Sequence, residues 1–154
     1  MGISREFVGT TVLFFSALCL VIFPQAPSTS AQSAEPTPAF HSELPPGPLP
    51  QTLDPSQFSD AIVKNTYTLA AKVKKVLYQQ PCYCHCDRSQ GHGSLLDCYV
   101  SKHASVCDVC IREGLFAYEQ TRKGKTPAQI RAAIERGDWQ KVDVYQYISL
   151  PARP

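Results

Sequence analysis

The sequence predicts a mainly α-helical fold, a small helical bundle with a Cys-rich loop, set behind a signal or anchor helix and a Pro-rich linker. Three observations predict it. Beyond residue 54, apolar residues recur at helical spacing between recognisable start and stop signals. Only the stretch 142–148 alternates apolar and polar residues as a strand would. Six of the seven cysteines fall between Cys82 and Cys110, a window of 29 residues that also holds three of the four histidines. At 154 residues the chain has room for one domain.

Residues 1–31 read as a signal peptide or membrane anchor. Phe7 to Phe23 is an apolar run of 17 residues behind Arg5. As a helix it spans about 25 Å, slightly less than a hydrocarbon core of about 30 Å. The small residues Ser28, Thr29, Ser30 and Ala31 follow, as a signal-peptidase site requires, and place cleavage after Ala31. Uncleaved, the same segment is a single anchor and the chain's only membrane contact. Either way the cysteines lie outside the cytoplasm, in the periplasm or cell envelope or beyond it. Cys19, with Leu18 before it, lacks the small predecessor of a lipoprotein cysteine and reads as a small apolar residue of the export helix.

Residues 32–55 read as a disordered linker. Nine prolines stand among the 32 residues from Pro24 to Pro55. Proline lacks an amide donor and biases its predecessor towards extended backbone, so the expectation is a polyproline-like tether, with His41 a solvated part of it.

The Cys-rich helical domain is expected over 56–141. Asp54-Pro55 offers an N-cap carboxylate and a proline at the first helical position. Phe58, Ile62, Leu69, Val73 and Val76 fall within about 60° on a helical wheel, which predicts a helix from there to about Tyr78. The loop 81–93 follows, with Gly91-His92-Gly93 as a turn, then a short helix over 94–100 capped by Ser94. A further helix is expected over 105–122, with Asp108 and Arg112 four apart and Gly124 as its stop. Thr126-Pro127 opens the last helix, which buries Ile130, Ala133 and Ile134, ends at Gly137, and leaves Trp139 to pack back on the bundle. Residues 142–154 read as an extended tail.

A domain this small buries a modest core and commonly relies on disulfides or a structural metal. C-x-x-C at Cys107 and Cys110, within a helix, puts two sulfurs on neighbouring turns. His103 shares their face if the helix starts early enough, at about 0°, 40° and 340° on the wheel. Cys82, Cys84 and Cys86 alternate, so an extended chain would put Cys82 and Cys86 together and Cys84 opposite, whereas a loop would wrap one ion with all three. Two of these sulfurs with Cys107 and Cys110 would complete a tetrahedral site of the structural-zinc type, and soft thiolates equally suit Cu(I). The expected metal set is therefore Cys82, Cys84, Cys86, Cys98, Cys107, Cys110 and His103. His85 and His92 read individually as surface imidazoles or hydrogen-bond partners.

Two other readings stand beside this one. Three disulfides would staple the domain as an interaction module. Cys82, Cys84 and Cys86 would then pair separately with Cys98, Cys107 and Cys110, a crowded arrangement. Alternatively Cys107 and Cys110, at a helix start whose dipole favours the thiolate, form a redox-active dithiol of a thiol–disulfide oxidoreductase. Several classes are excluded. Covalent haem needs C-x-x-C-H, ferredoxin-type C-x-x-C-x-x-C is absent, and a thioredoxin fold needs βαβ units. No phosphate loop, nucleophile elbow or H-E-x-x-H occurs. Charge is interspersed at a net +2, so nothing points to nucleic acid. The expected partners are a metal ion and an envelope protein.

Pro81-Cys82-Tyr83-Cys84-His85-Cys86, then Asp97-Cys98-Tyr99-Val100, then Cys107-Asp108-Val109-Cys110, resembles the bacterial PCYCGC-motif, or CYCXC, family of exported proteins of unknown function. The likeness runs from about residue 67 to 139. It implies export and a cysteine-centred domain, without a mechanism. Members are often lipoproteins, a feature that Leu18-Cys19 does not carry over. The motif's glycine is replaced here by His85, which raises the question whether a glycine conformation is needed there and makes His85 an optional further ligand.

Overall fold

A computed structural model describes Gly2 and residues 36–150; the expected export segment, Cys19 and the last four residues lie outside the described residues. The fold is mainly helical, with no strand among the described residues. No described helix is long and apolar enough to cross a membrane. Six helices carry the architecture: α1 (Ala61–Ala70), α2 (Lys74–Tyr78), α3 (Cys86–Gln90), α4 (Leu95–Val100), α5 (Asp108–Arg122) and α6 (Pro127–Glu135). The fifteen-residue α5 is central, with α1, α2, α4 and α6 all packed against it.

The first helix differs from the expected run of 54–78. Asp54 does cap, accepting from the Ser56 amide, and Pro55 is at the first position, but only a 3-10 turn over Pro55–Gln57 results. Phe58 is extended and lays its ring on Tyr67 at 4.3 Å. A second cap at Asp60, accepting from the Val63 amide, then starts α1. A 3-10 turn at Ala71–Val73 separates α1 from α2 and shifts the buried face. Leu69 and Val73 of the expected stripe are buried, joined by Val63, Tyr67 and Leu77, while Phe58 and Val76 pack only partly. Each fully buried Leu or Ile contributes about 2 kcal/mol of apolar transfer free energy. The core holds Leu69, Leu77, Leu95, Leu96, Leu115, Ile130 and Ile134 in this state.

The later elements follow their signals. Thr126 and Gln129 form a reciprocal capping box over Pro127, and Ile130, Ala133 and Ile134 are the buried face of α6. Gly124 and Gly137 take positive φ beyond the ends of α5 and α6. Asp108 and Arg112 pair at 2.7 Å. Trp139 is half-buried against the core.

Two segments are more attached than expected. The described part of the proline-rich stretch, 36–55, is extended as proline dictates, yet it lies along the helices. Pro38 is buried, His41 stacks on Tyr78 at 4.0 Å, Arg131 sits 4.4 Å over the Phe40 ring, and the Leu53 amide donates to the Tyr99 carbonyl. Polyproline backbone leaves its polar groups unpaired, and here neighbouring side chains and carbonyls satisfy some of them. The stretch beginning at Val142 forms a 3-10 turn at Val144–Tyr147 instead of an extended tail. Val142 and Tyr147 are buried, the Tyr147 hydroxyl donates to Glu119, and Asn65 donates to the Tyr147 carbonyl. Its alternation marks burial of one face in a single turn, not pairing in a sheet.

Candidate metal centre

The approach to the cluster is fixed from below. Gln80, fully buried at the end of α2, donates to the Val76 and Pro127 carbonyls, and its own carbonyl accepts from the Leu95 amide. These bonds anchor the chain on both sides of the loop 81–93. Pro81 cannot continue the helix, and the backbone turns back so that the His85 amide donates to the Cys82 carbonyl. His85 itself is left-handed at φ 56°, the only non-glycine residue with positive φ among the described residues. That conformation costs an L-residue roughly 1–2 kcal/mol and none for glycine. A histidine thus stands in left-handed backbone at the position where the motif has glycine. It curls the segment so that Cys82, Cys84 and Cys86 all lie within 4.8 Å of one another, and the extended alternation is not what forms. Inside the expected loop, Cys86 opens the short helix α3, which Gly91 closes.

Cys98 comes from α4 and Cys110 from the first turn of α5. The helix expected from 105 starts at Asp108, because Cys107 is extended and serves as its N-cap. His103 sits on a separate 3-10 turn, His103–Val106, oriented by its amide donating to Ser101 Oγ. The three donors of the expected helical face nevertheless meet: Cys84, His103, Cys107 and Cys110 have ligand atoms mutually within 4.8 Å. Further groups are Cys82, Cys98 and Cys110, and Cys86, Cys98 and His103. All seven expected donors are therefore in one basin. His85 belongs to none of these groups.

Sulfur separations are close to contact: Cys82 to Cys84 3.3 Å, Cys82 to Cys110 3.4 Å, Cys84 to Cys110 3.7 Å and Cys86 to Cys98 3.4 Å. All six are free sulfurs, well beyond a disulfide bond of about 2.05 Å. A tetrahedral zinc–thiolate centre spaces its sulfurs by about 3.8 Å, so little movement separates this arrangement from a loaded one. His103 Nε2 is 3.4 Å from Cys84 Sγ, and His92 Nδ1 is 3.3 Å from Cys98 Sγ. The two imidazoles meet edge to face at 5.3 Å.

Electrostatics divide the sulfurs. Hydrogen bonds with Cys110, then Cys82 and Cys98, hold the Cys84 thiol far below its ordinary value. Cys110 is the opposite: its bonds to Cys82 and Cys84 keep its proton on. Cys86 is raised by Cys82 and by burial, and Cys107 chiefly by burial. Burial also lowers His92, with His103 adding to the effect.

Two supporting residues escaped the sequence reading. Glu113, fully buried on α5, accepts from the Tyr83 amide at 3.0 Å while its second oxygen has no hydrogen-bond partner. Burial pushes its carboxyl up to about 8. Gly114 lets the Tyr99 ring pass: a Cβ there would overlap the Tyr99 hydroxyl, which donates to the Cys110 carbonyl at 2.6 Å. Spacing held the signal. Glu113 and Gly114 stand three and four residues after Cys110, on the same helical face.

The fold and the basin together define a small helical domain built round a Cys/His cluster able to hold a metal ion. The chain belongs to the family of proteins of unknown function with the PCYCGC motif, whose model matches residues 46–141. No curated protein and no solved structure matches the chain.

Proposed function

We propose that this chain is an exported metal-binding protein of the cell envelope that holds a soft transition metal, zinc or Cu(I), for sequestration, delivery or sensing. One observation carries the reading: Cys84, His103, and the Cys107 and Cys110 pair at the start of α5, from three separate pieces of chain, converge within 4.8 Å, with only Cys110 buried. Packing does not require thiols and an imidazole to meet there. Soft sulfur donors select soft ions, and a basin floored by buried cysteines excludes competing water. Full-length protein purified under reducing conditions and assayed for zinc, copper and iron tests the reading. The expected result is stoichiometric metal; a metal-free protein, still folded and holding three disulfides, overturns it.

A second reading has its own observation. The Cys84 thiol, held low, has Cys82 and Cys110 sulfurs at 3.3 and 3.7 Å, near enough for two of these sulfurs to join and pass two electrons to a partner disulfide, which is reduced to two thiols by protons from the pair or from solvent. Intact-mass measurement with and without thiol alkylation separates the two: a metal holder keeps all six cysteines of the cluster alkylatable after chelation, whereas a redox protein cycles two of them.

A further inference from the structure

The basin contains more donors than one ion can use. A tetrahedral thiolate centre takes four ligands. Six sulfurs and His103 are gathered here, and they do so around two centres. The outer one is Cys84, His103, Cys107 and Cys110. The inner one is Cys82, Cys86 and Cys98, whose sulfurs lie pairwise within 4.8 Å, with Cys86 and Cys98 at 3.4 Å. Cys107 is grouped only with the outer donors, while Cys98 is grouped with Cys82, Cys86, Cys110 and His103. Two outer sulfurs reach the inner ones: Cys110 is grouped with Cys82 and Cys98, and Cys84 with Cys82 and Cys86, with Cys82 3.4 Å from Cys110 and 3.3 Å from Cys84.

We propose that the basin takes a polynuclear Cu(I)–thiolate cluster of at least two ions, one at the outer group and one at the inner trio, bridged through the sulfurs of Cys84 and Cys110. The inference rests on the metal-binding reading above and adds the kind of cargo. Soft sulfur donors favour Cu(I), which three of them can hold, whereas a tetrahedral zinc there must recruit a fourth donor such as His92, whose Nδ1 is 3.3 Å from Cys98 Sγ. Every thiol that binds releases one proton to solvent; no electron is transferred.

Reduced, metal-free full-length protein is titrated anaerobically with Cu(I), and separately with zinc, and read by native mass spectrometry. X-ray absorption of the copper form looks for copper–copper scattering. Two or more Cu(I) per chain with copper–copper scattering is the expected result. Exactly one Cu(I) per chain, or zinc without Cu(I), overturns the cluster and leaves the metal-binding reading standing. Binding of neither ion overturns both. Cys98→Ser should lose the inner ion and retain one, and Cys107→Ser, at a half-exposed position that does not endanger the fold, should weaken the outer ion at least tenfold. Wild-type stoichiometry and affinity in both variants would also overturn the cluster.

Discussion

The floor of the sulfur basin is sealed, and its rim is half-open. Cys82, Cys86, Cys98 and Cys110 form the floor, and three of the four stand in helices α3, α4 and α5. Cys84, Cys107 and His103 form the rim, and each lies between helices: in a turn, at an extended N-cap, and on a 3-10 turn. Helices bring the floor sulfurs together as part of the core, where they also act as small apolar residues. Connecting segments bring the rim donors to the mouth, where solvent reaches them. The difference teaches that the floor sulfurs are part of the core itself, whereas the rim donors pack against it from the solvent side.

The largest test of that division is Gly114→Ala. A methyl there must displace the fully buried Tyr99 ring, whose hydroxyl supports the Cys110 carbonyl. Overpacking of this kind costs about 3 kcal/mol or more. Thermal unfolding followed by circular dichroism should show the loss, and metal uptake should fall with it. A variant as stable as wild type would break the claim that the floor is part of the core.

Glu113 gives the next effect, in reduced metal-free protein. Its carboxyl is pushed from 4.5 up to about 8 by burial, so it binds its proton more tightly when folded. Stability is then greatest below about 4.5 and declines as pH rises towards 8, by a few kcal/mol at most on the order set by about 1.4 kcal/mol per pKa unit. Glu113→Gln keeps an acceptor for the Tyr83 amide and removes the titration. Urea denaturation across pH should show a flatter profile for the variant between these limits; an unchanged profile would mean that the carboxylate is solvated.

Direct comparison of floor with rim comes from Cys98→Ser and Cys107→Ser. Cys98 is fully buried, and a hydroxyl placed there is desolvated, at about 1–2 kcal/mol. Cys107 is half-buried at a loop junction, where a change within about 0.5 kcal/mol is expected. Equal losses in urea denaturation would erase the distinction between the two layers.

Much of this arrangement could be read in the sequence, and the failures have physical causes. Local chemistry was legible: Thr126-Pro127, Gly124 and Gly137 mark the ends of α5 and α6 because caps and left-handed stops act within a few residues. The seven donors were legible as a set, since thiols and imidazoles are rare enough to stand out. What was illegible depended on tertiary contacts. Phe58 leaves the helix to pack on Tyr67, which is core, and a 3-10 turn at Ala71–Val73 interrupts the expected helix before the buried Leu77. Cys107 breaks the helix expected from 105, yet the donors still meet because His103 reaches the basin from its own turn. Glu113 reads as an ordinary surface charge until its neighbours are known.

The smallest effect concerns the residue that joins rim to floor. His85 lies between Cys84, on the rim, and Cys86, in the floor, and the chain passes from one layer to the other through its left-handed φ of 56°. Any residue with a Cβ is penalised there, and histidine is among the types that tolerate it better. Side-chain contacts of His85, including its edge-to-face approach to Tyr83 at 6.0 Å, bear on any single substitution, so the informative measurement is a difference between two variants that both lack the ring. His85→Gly should be more stable than His85→Ala by about 1 kcal/mol, read from urea midpoints of reduced metal-free protein. Cu(I) affinity should follow the same order, because the alanine variant holds its sulfurs together only by retaining the strain. Equal stabilities would show that the turn relaxes without a left-handed residue. The motif's glycine would then have to be explained by room for the cluster instead of by backbone geometry.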